Sequence, residues 1–441
     1  MAVSLVKDDV GAAPPSGRTG ARNPSRTISV RRSAVAALVA AAALGTLSAR
    51  AAADDRGDNP LQAATEAYHA AYPQLPAARA RAAAAQSGAR RAVYDAASQD
   101  AATFGGAWFD PLTGVVHLAA TTAAATKRAV LFGRRHGIAV QGHQVSRSAA
   151  ELEAHAAQLR AGKGEIGRAA DGRIGIDVRT NQIVAAVPAA RRGALGSAAA
   201  ATGAVRLIDD PRLAVQPDAG CTSRAACDET IRAGAIIWRS DPSIPWCSVG
   251  FTARDASNQR YVLTAGHCTT GDGVTWGTGA LQIGPMTASV DDGPTDASII
   301  AVTNPWFAGH PGGEIYTEGD SLSMPVQGVA ATPSDMVAGE TVCLAANFSA
   351  PNGDIPCGVL ATNSDAAVRG LARVEGVDAC GGDSGGGWYG LSASGNRLAY
   401  GIHSRSDAGC HGDAGGSRSW FTAIANARDG FQRGLSVELR P

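Results

Sequence analysis

The sequence predicts a small α+β domain followed by an all-β domain built as a sandwich or barrel, and three observations carry this expectation. From about residue 206 the chain is rich in Gly, Pro and Thr, with short β-branched runs between frequent turn signals. Before that point it is rich in Ala and Arg, with apolar residues at helical spacing. All eight cysteines, at 221, 227, 247, 268, 343, 357, 380 and 410, lie in the second part.

At 441 residues the chain exceeds what one hydrophobic core usually supports, so two folded units and an export segment are expected. Near the start, Arg31 and Arg32 precede an apolar run from Ala34 to Leu47, and small residues lead up to Asp54. This pattern predicts a signal peptide over residues 1–53, because the apolar run falls short of the roughly 20 residues that a membrane anchor needs. A small α+β domain is assigned to 54–205 and the all-β domain to 206–441. The boundary is placed in the Ala- and Gly-rich stretch from Ala190 to Gly220.

In the first domain, helices are expected over Leu61 to Tyr72 and Ser148 to Arg160, with Ser148 and Glu151 forming a capping box. Strands are expected over Gly106 to Phe109, Val115 to Ala119, Ile174 to Val178 and Ile183 to Val187. In the second domain the β-branched runs are Ala235 to Trp238, Tyr261 to Thr264, Ala297 to Val302 and Leu398 to Ile402.

An even cysteine count at wide spacing suits disulfides in an oxidising compartment, and no C-x-x-C pair suggests zinc. From Cys221 onward the chain holds 13 Arg, no Lys and 22 acidic residues, a net charge of −9 that the earlier part balances. An acidic domain of this kind argues against nucleic acid as its partner.

Three segments carry chemistry together. Thr264-Ala265-Gly266-His267-Cys268 ends a strand, Thr295-Asp296-Ala297-Ser298-Ile299-Ile300 begins one, and Gly382-Asp383-Ser384-Gly385-Gly386 forms a glycine loop. A serine hydroxyl needs a base to become a nucleophile, a histidine suits that role near neutral pH, and a buried carboxylate orients the imidazole. Asp291 and Asp292 compete with Asp296, but only Asp296 leads directly into a buried-looking strand. Glycines around Ser384 let the backbone N–H groups of Gly382 and Ser384 converge on an oxyanion. A G-x-S-x-G pattern also describes the nucleophile elbow of α/β-hydrolases. There the acid and histidine follow the serine, whereas here they precede it.

With these residues, Cys247-Ser248-Val249-Gly250-Phe251 and Cys380-Gly381-Gly382-Asp383-Ser384-Gly385-Gly386, the sequence resembles the chymotrypsin/trypsin superfamily, in particular the secreted actinobacterial branch that includes the streptogrisins. The resemblance implies two six-stranded antiparallel β-barrels, with His267 as general base, Asp296 as orienting carboxylate, Ser384 as nucleophile and Ser404 as support for the aspartate. It implies disulfides pairing Cys247 with Cys268, Cys343 with Cys357 and Cys380 with Cys410, leaving Cys221 for Cys227. The first domain resembles the propeptides of this branch through Trp108 to Gly114, Val145 to Ser148 and Ile176 to Asn181. His403 falls where glutamate-specific relatives carry a histidine that binds a substrate carboxylate, with Ser406 as a second candidate. The other reading is a histidine that packs in the pocket wall without choosing glutamate. No aspartate stands immediately before Cys380 to favour a basic side chain.

The reading that follows is a secreted, monomeric serine endopeptidase made as an inactive precursor. It would use no cofactor or metal, act on protein or peptide substrates, hold its own propeptide in cis and have no membrane anchor. The alternative from another class is a protease-fold binding protein without activity.

Overall fold

The computed structural model describes residues 60–170, 173–209, 231–239, 246–269, 273–278, 281–318, 322–346, 355–391, 397–407 and 417–440. The expected signal segment, Cys221, Cys227 and Cys410 lie outside the described residues.

The second half of the chain is all-β, as expected. Its second sheet closes on itself. Going round, the strands are Arg397–Ser406, Gly387–Leu391, Thr341–Ala345, Cys357–Asp365, Leu371–Glu375 and Arg418–Ala423, which pairs again with Arg397–Ser406. Every pairing in this six-stranded ring is antiparallel. Its interior is packed with Trp388, Phe421, Leu344 and Leu360, all fully buried. Closure leaves no free edge in the ring, which removes a common route to aggregation.

The first sheet runs in the order Ser436–Val437, Phe251–Arg254, Arg260–Thr264, Thr295–Ala301, Leu281–Asp292, Thr275–Thr278, Ile236–Arg239 and Cys247–Ser248. Only Val249 and Gly250 separate its last strand from its second in sequence, so the sheet curls back on itself into a half-barrel. The expectation of two six-stranded barrels is thus met by one closed barrel and one curled sheet. At Gly250, between those two strands, a Cβ would meet the Gly385 carbonyl oxygen at 2.7 Å, so glycine there lets the Ser384 loop pack against the sheet.

The disulfide Cys247–Cys268 ties the last strand to the turn after Arg260–Thr264, and Cys343–Cys357 joins two adjacent barrel strands. Cys380 is also disulfide-bonded.

Residues 60–209 form the expected α+β lobe, but more of it is helical than the apolar periodicity suggested. Pro60–Ala71 and Ala149–Arg160 are helices, and Ser148 with Glu151 caps the second through a capping box. Ala77–Ala85, Ser87–Ser98, Ala123–Arg135 and Ala189–Thr202 are helices too. Two of them make crossovers between parallel strands, one from Val115–Ala120 to Val140–Gln144 and the other from Gln182–Val187 to Val205–Asp209. In the stretch expected to hold the boundary, the Ala189–Thr202 helix buries Leu195 and Ala199, and Val205–Asp209 pairs with Gln182–Val187 in a sheet of the first lobe. The alanine-rich part of this stretch is helical because alanine has the highest helix propensity.

The lobe packs on the closed barrel. The Phe109 N–H donates to Ala338 O at 2.8 Å, and Tyr68 Oη donates to Gly339 O at 3.1 Å. Gly339 has φ +94°, and a Cβ there would lie 2.1 Å from Phe109 O, so the close approach needs glycine. Beside it Arg90, fully buried in the lobe, grips Glu340 of the barrel with two hydrogen bonds of 2.6 and 2.7 Å. Tyr94 Oη donates to the same carboxylate at 2.9 Å, and the guanidinium stacks over Phe109 at 3.8 Å.

Candidate active site

His267 sits in a single 3-10 turn, Gly266–Cys268, that ends the Arg260–Thr264 strand. Gly266 is dictated by crowding, since a Cβ would meet Val290 O at 2.1 Å. The turn thereby presses the histidine backbone onto the start of the neighbouring Thr295–Ala301 strand. There the His267 N–H donates to Asp296 Oδ1 at 2.9 Å, and the ring Nδ1 contacts Asp296 Oδ2 at 2.8 Å. On the other side the ring Nε2 lies 2.8 Å from Ser384 Oγ. Nδ1 facing a carboxylate carries the hydrogen, which leaves Nε2 as the acceptor for the serine proton.

Asp296 is fully buried. Its Oδ2 also accepts a short hydrogen bond from Ser404 Oγ, and its backbone N–H donates to Thr422 Oγ1 at 2.7 Å. Burial pushes the carboxyl pKa up, but the charge and hydrogen bonds of His267, with the Ser404 hydroxyl, hold it well below the usual carboxylate range. Asp291 faces Asp296 across the strand pair, yet its carboxylate is 39% exposed and turns to Arg369. Neither Asp291 nor Asp292 takes the place beneath the histidine.

The Ser384 loop is held from several sides. Asp383 Oδ2 accepts from the Cys380 N–H at 2.7 Å, Ser248 Oγ donates to Gly382 O at 2.8 Å, and the Ser248 N–H donates to Ser384 O at 2.8 Å. Gly382 and Gly385 have φ of +93° and +90°, a region that glycine alone enters without strain. Neither the Gly382 nor the Ser384 amide donates to another described residue. This suits two N–H groups reserved for an oxyanion.

Burial pushes the His267 pKa down, while the charge and hydrogen bond of Asp296 push it up further, so the net shift is upward. The sign for stability follows. The raised histidine stabilises the fold below its ordinary pKa, and this contribution is lost as pH rises through the raised value. The depressed Asp296 stabilises above the ordinary carboxylate range and is lost as pH falls through its lowered value.

His403 and Ser406 are both buried in the strand behind the Ser384 loop. The His403 N–H donates to Gly386 O at 2.8 Å, and His403 O accepts from the Gly385 N–H at 2.9 Å. Its ring Nδ1 accepts from Trp388 Nε1 at 3.2 Å, and Ser406 Oγ donates to Ala379 O at 3.1 Å. Trp388, Thr422 and Arg405 complete these surroundings and belong to no motif singled out in the sequence, whereas Ser248 lies within the Cys247–Phe251 motif.

The chain is similar to three solved actinobacterial structures. Nocardiopsis protease and Thermobifida fusca protease A are each 24% identical over 48% of this chain and 100% of their own, with TM-scores of 0.36 and 0.37. Cellulomonas bogoriensis chymotrypsin is 23% identical over 47% of this chain and 98% of its own, with a TM-score of 0.34. No protein-family model and no curated protein matches the sequence.

Chemically, the arrangement can do one thing well. A hydroxyl, an imidazole and a shielded carboxylate stand in series, with a glycine loop presenting amides beside the hydroxyl. Among the described residues no helix is long and apolar enough to cross a membrane.

Proposed function

We propose that the protein is an exported serine endopeptidase that cleaves peptide bonds through an acyl-enzyme. The observation that carries this reading is the hydrogen-bonded series from Asp296 through His267 to Ser384, with both ring contacts at 2.8 Å. In this reading Ser384 Oγ attacks the substrate carbonyl while His267 Nε2 takes its proton. Asp296 stabilises the imidazolium, and the amides of Gly382 and Ser384 receive the oxyanion. The imidazolium then protonates the leaving amine, and water repeats the sequence to release the acid.

Residues 60–209 act in this reading as a propeptide bound in cis and removed on activation. Supporting it are the buried Arg90–Glu340 pair and the Phe109–Ala338 hydrogen bond between lobe and barrel. Residues 1–53 would direct export, and the disulfides fit an oxidising exterior.

A preference for glutamate before the cut has support in His403. It lies in the strand Arg397–Ser406 behind the Ser384 loop, with Nδ1 accepting from Trp388 Nε1 at 3.2 Å. A basic preference has its own support, contrary to the sequence expectation. One carboxylate oxygen of Asp378, two residues before Cys380, is buried with no hydrogen-bond partner among the described residues. A cationic side chain would neutralise it. Cleavage mapping on a peptide library separates the two, with glutamate enriched before the cut in the first case and lysine or arginine in the second.

The activity itself is tested with a serine-directed fluorophosphonate. The processed protein is expected to be labelled at Ser384, with labelling lost in His267→Ala. Unlabelled processed protein would favour a protease-fold binding protein instead. The upward shift at His267 sets a further expectation: kcat/KM for an amide substrate rises with pH along a limb centred above the ordinary imidazole value of about 6.5. A limb centred below that value would contradict the proton balance described above.

A further inference from the structure

Behind the His267–Asp296–Ser384 series lies a second layer of charge. Arg405, the residue after Ser404, has Nη2 3.6 Å from Asp296 Oδ2 and 3.7 Å from Asp291 Oδ1. Its Nε donates to Ser404 Oγ at 3.0 Å, so the hydroxyl that donates to Asp296 is itself held by a guanidinium. Asp291 in turn accepts from Arg369 Nη2 at 2.6 Å. Charges therefore alternate along one line, Arg369, Asp291, Arg405, Asp296 and then the His267 ring, across the strands Leu281–Asp292, Thr295–Ala301 and Arg397–Ser406. The Arg405 side chain is only 22% exposed and Asp296 is not exposed at all, so solvent screens this line less than a surface pair.

We propose that Arg405 and Asp291 are positioning residues whose opposed charges, acting through Ser404 and Asp296, set how readily the His267 imidazole accepts a proton. Arg405 stabilises the Asp296 carboxylate and fixes Ser404, but its positive charge opposes an imidazolium nearby. Asp291 offsets that charge, and Arg369 limits the offset. Alongside the dominant effects of burial and Asp296, Arg405 lowers the His267 pKa and Asp291 raises it. The Ser384 loop contributes a hydroxyl toward the ring, whereas its own carboxylate, Asp383, is directed to the Cys380 N–H. The arrangement gives the site a built-in opposition: one residue holds the base neutral toward lower pH, and the other restores its basicity.

The kinetic consequence rests on the proposed role of His267 as the base, while the ring titration does not. The test is a titration of ring-labelled histidine by NMR in the full chain carrying Ser384→Ala, with the His267 signal assigned by its loss in His267→Gln. Arg405→Met is expected to raise the His267 midpoint and Asp291→Asn to lower it, each on the order of half a pH unit. Arg405→Lys should stay near the parent. Should Arg405→Met fail to fold, the 39% exposed Asp291 still supplies an informative variant. Unmoved midpoints, or Arg405→Met and Asp291→Asn moving it the same way, would overturn the proposal.

With Ser384 intact, the acid limb of peptide hydrolysis should move in the same directions as the ring titration. Shifted titrations in a protein that hydrolyses nothing would refute the peptidase reading and leave this one standing. Hydrolysis with unmoved titrations would do the reverse.

Discussion

Replacing Ser384 with alanine is expected to lower kcat/KM of the processed protein on a peptide substrate by roughly five to six orders of magnitude. Among the described residues the hydroxyl is the group that meets His267 Nε2, at 2.8 Å, so without it the imidazole has no nucleophile to deprotonate. What remains is the rate that the Gly382 and Ser384 amides and substrate binding supply alone. His267→Ala should cost a similar amount, and the double variant scarcely more, because the two act as one unit. Full progress curves for the three variants check this, and a loss below tenfold in Ser384→Ala would point to a different nucleophile.

Arg90→Ala is expected to destabilise the full chain by about 3–5 kcal/mol, read from urea denaturation of a Ser384→Ala background that cannot process itself. Arg90 is fully buried and its guanidinium is shared among Glu340, the Ala83 carbonyl and Tyr68 Oη. Deleting it leaves the Glu340 carboxylate enclosed without its cation, and also removes the guanidinium that covers Phe109. Replacing both partners with apolar residues, as in Arg90→Met with Glu340→Leu, should recover most of the loss, because the penalty lies in the uncompensated charge. A cost under about 1 kcal/mol for the single variant would place this pair among ordinary surface bridges. Arg90 belongs to the lobe and Glu340 to the barrel, so the same variant should weaken the hold of residues 60–209 on the remainder.

How far the sequence discloses this protein depends on whether a residue's role is local. Gly266, Gly382 and Gly385 stand where backbone approach or positive φ excludes any side chain, and such constraints leave short, readable patterns around His267 and Ser384. Asp296 was legible because a run of apolar residues follows it, and the strand it opens is buried throughout. The alternation of turns and β-branched runs also disclosed the all-β half, although not the way Val249 and Gly250 interrupt the first sheet.

Arg405 left no trace, since its meaning arises only when three strands bring positions 291, 296 and 405 together. The helices at Ala77–Ala85 and Ala189–Thr202 were hidden for another reason: runs of alanine bury well but show little contrast between faces, so their periodicity is faint. The strand Val205–Asp209 was lost with them, because its partner lies across a helical crossover rather than a tight turn. His403 illustrates a third limit. Its position was foreseen, but its hydrogen bond to Trp388 depends on the pairing of the strands Gly387–Leu391 and Arg397–Ser406.

The central claim is that the Ser384 hydroxyl becomes covalently bonded to substrate. Mixing the processed protein with an activated peptide ester, quenching in acid within the turnover time and mapping fragments by mass spectrometry tests it directly. One acyl group on the fragment containing Ser384, absent in His267→Ala, is the predicted result. Continued product formation with no acyl group on that fragment, or with the group on another residue, would contradict the account.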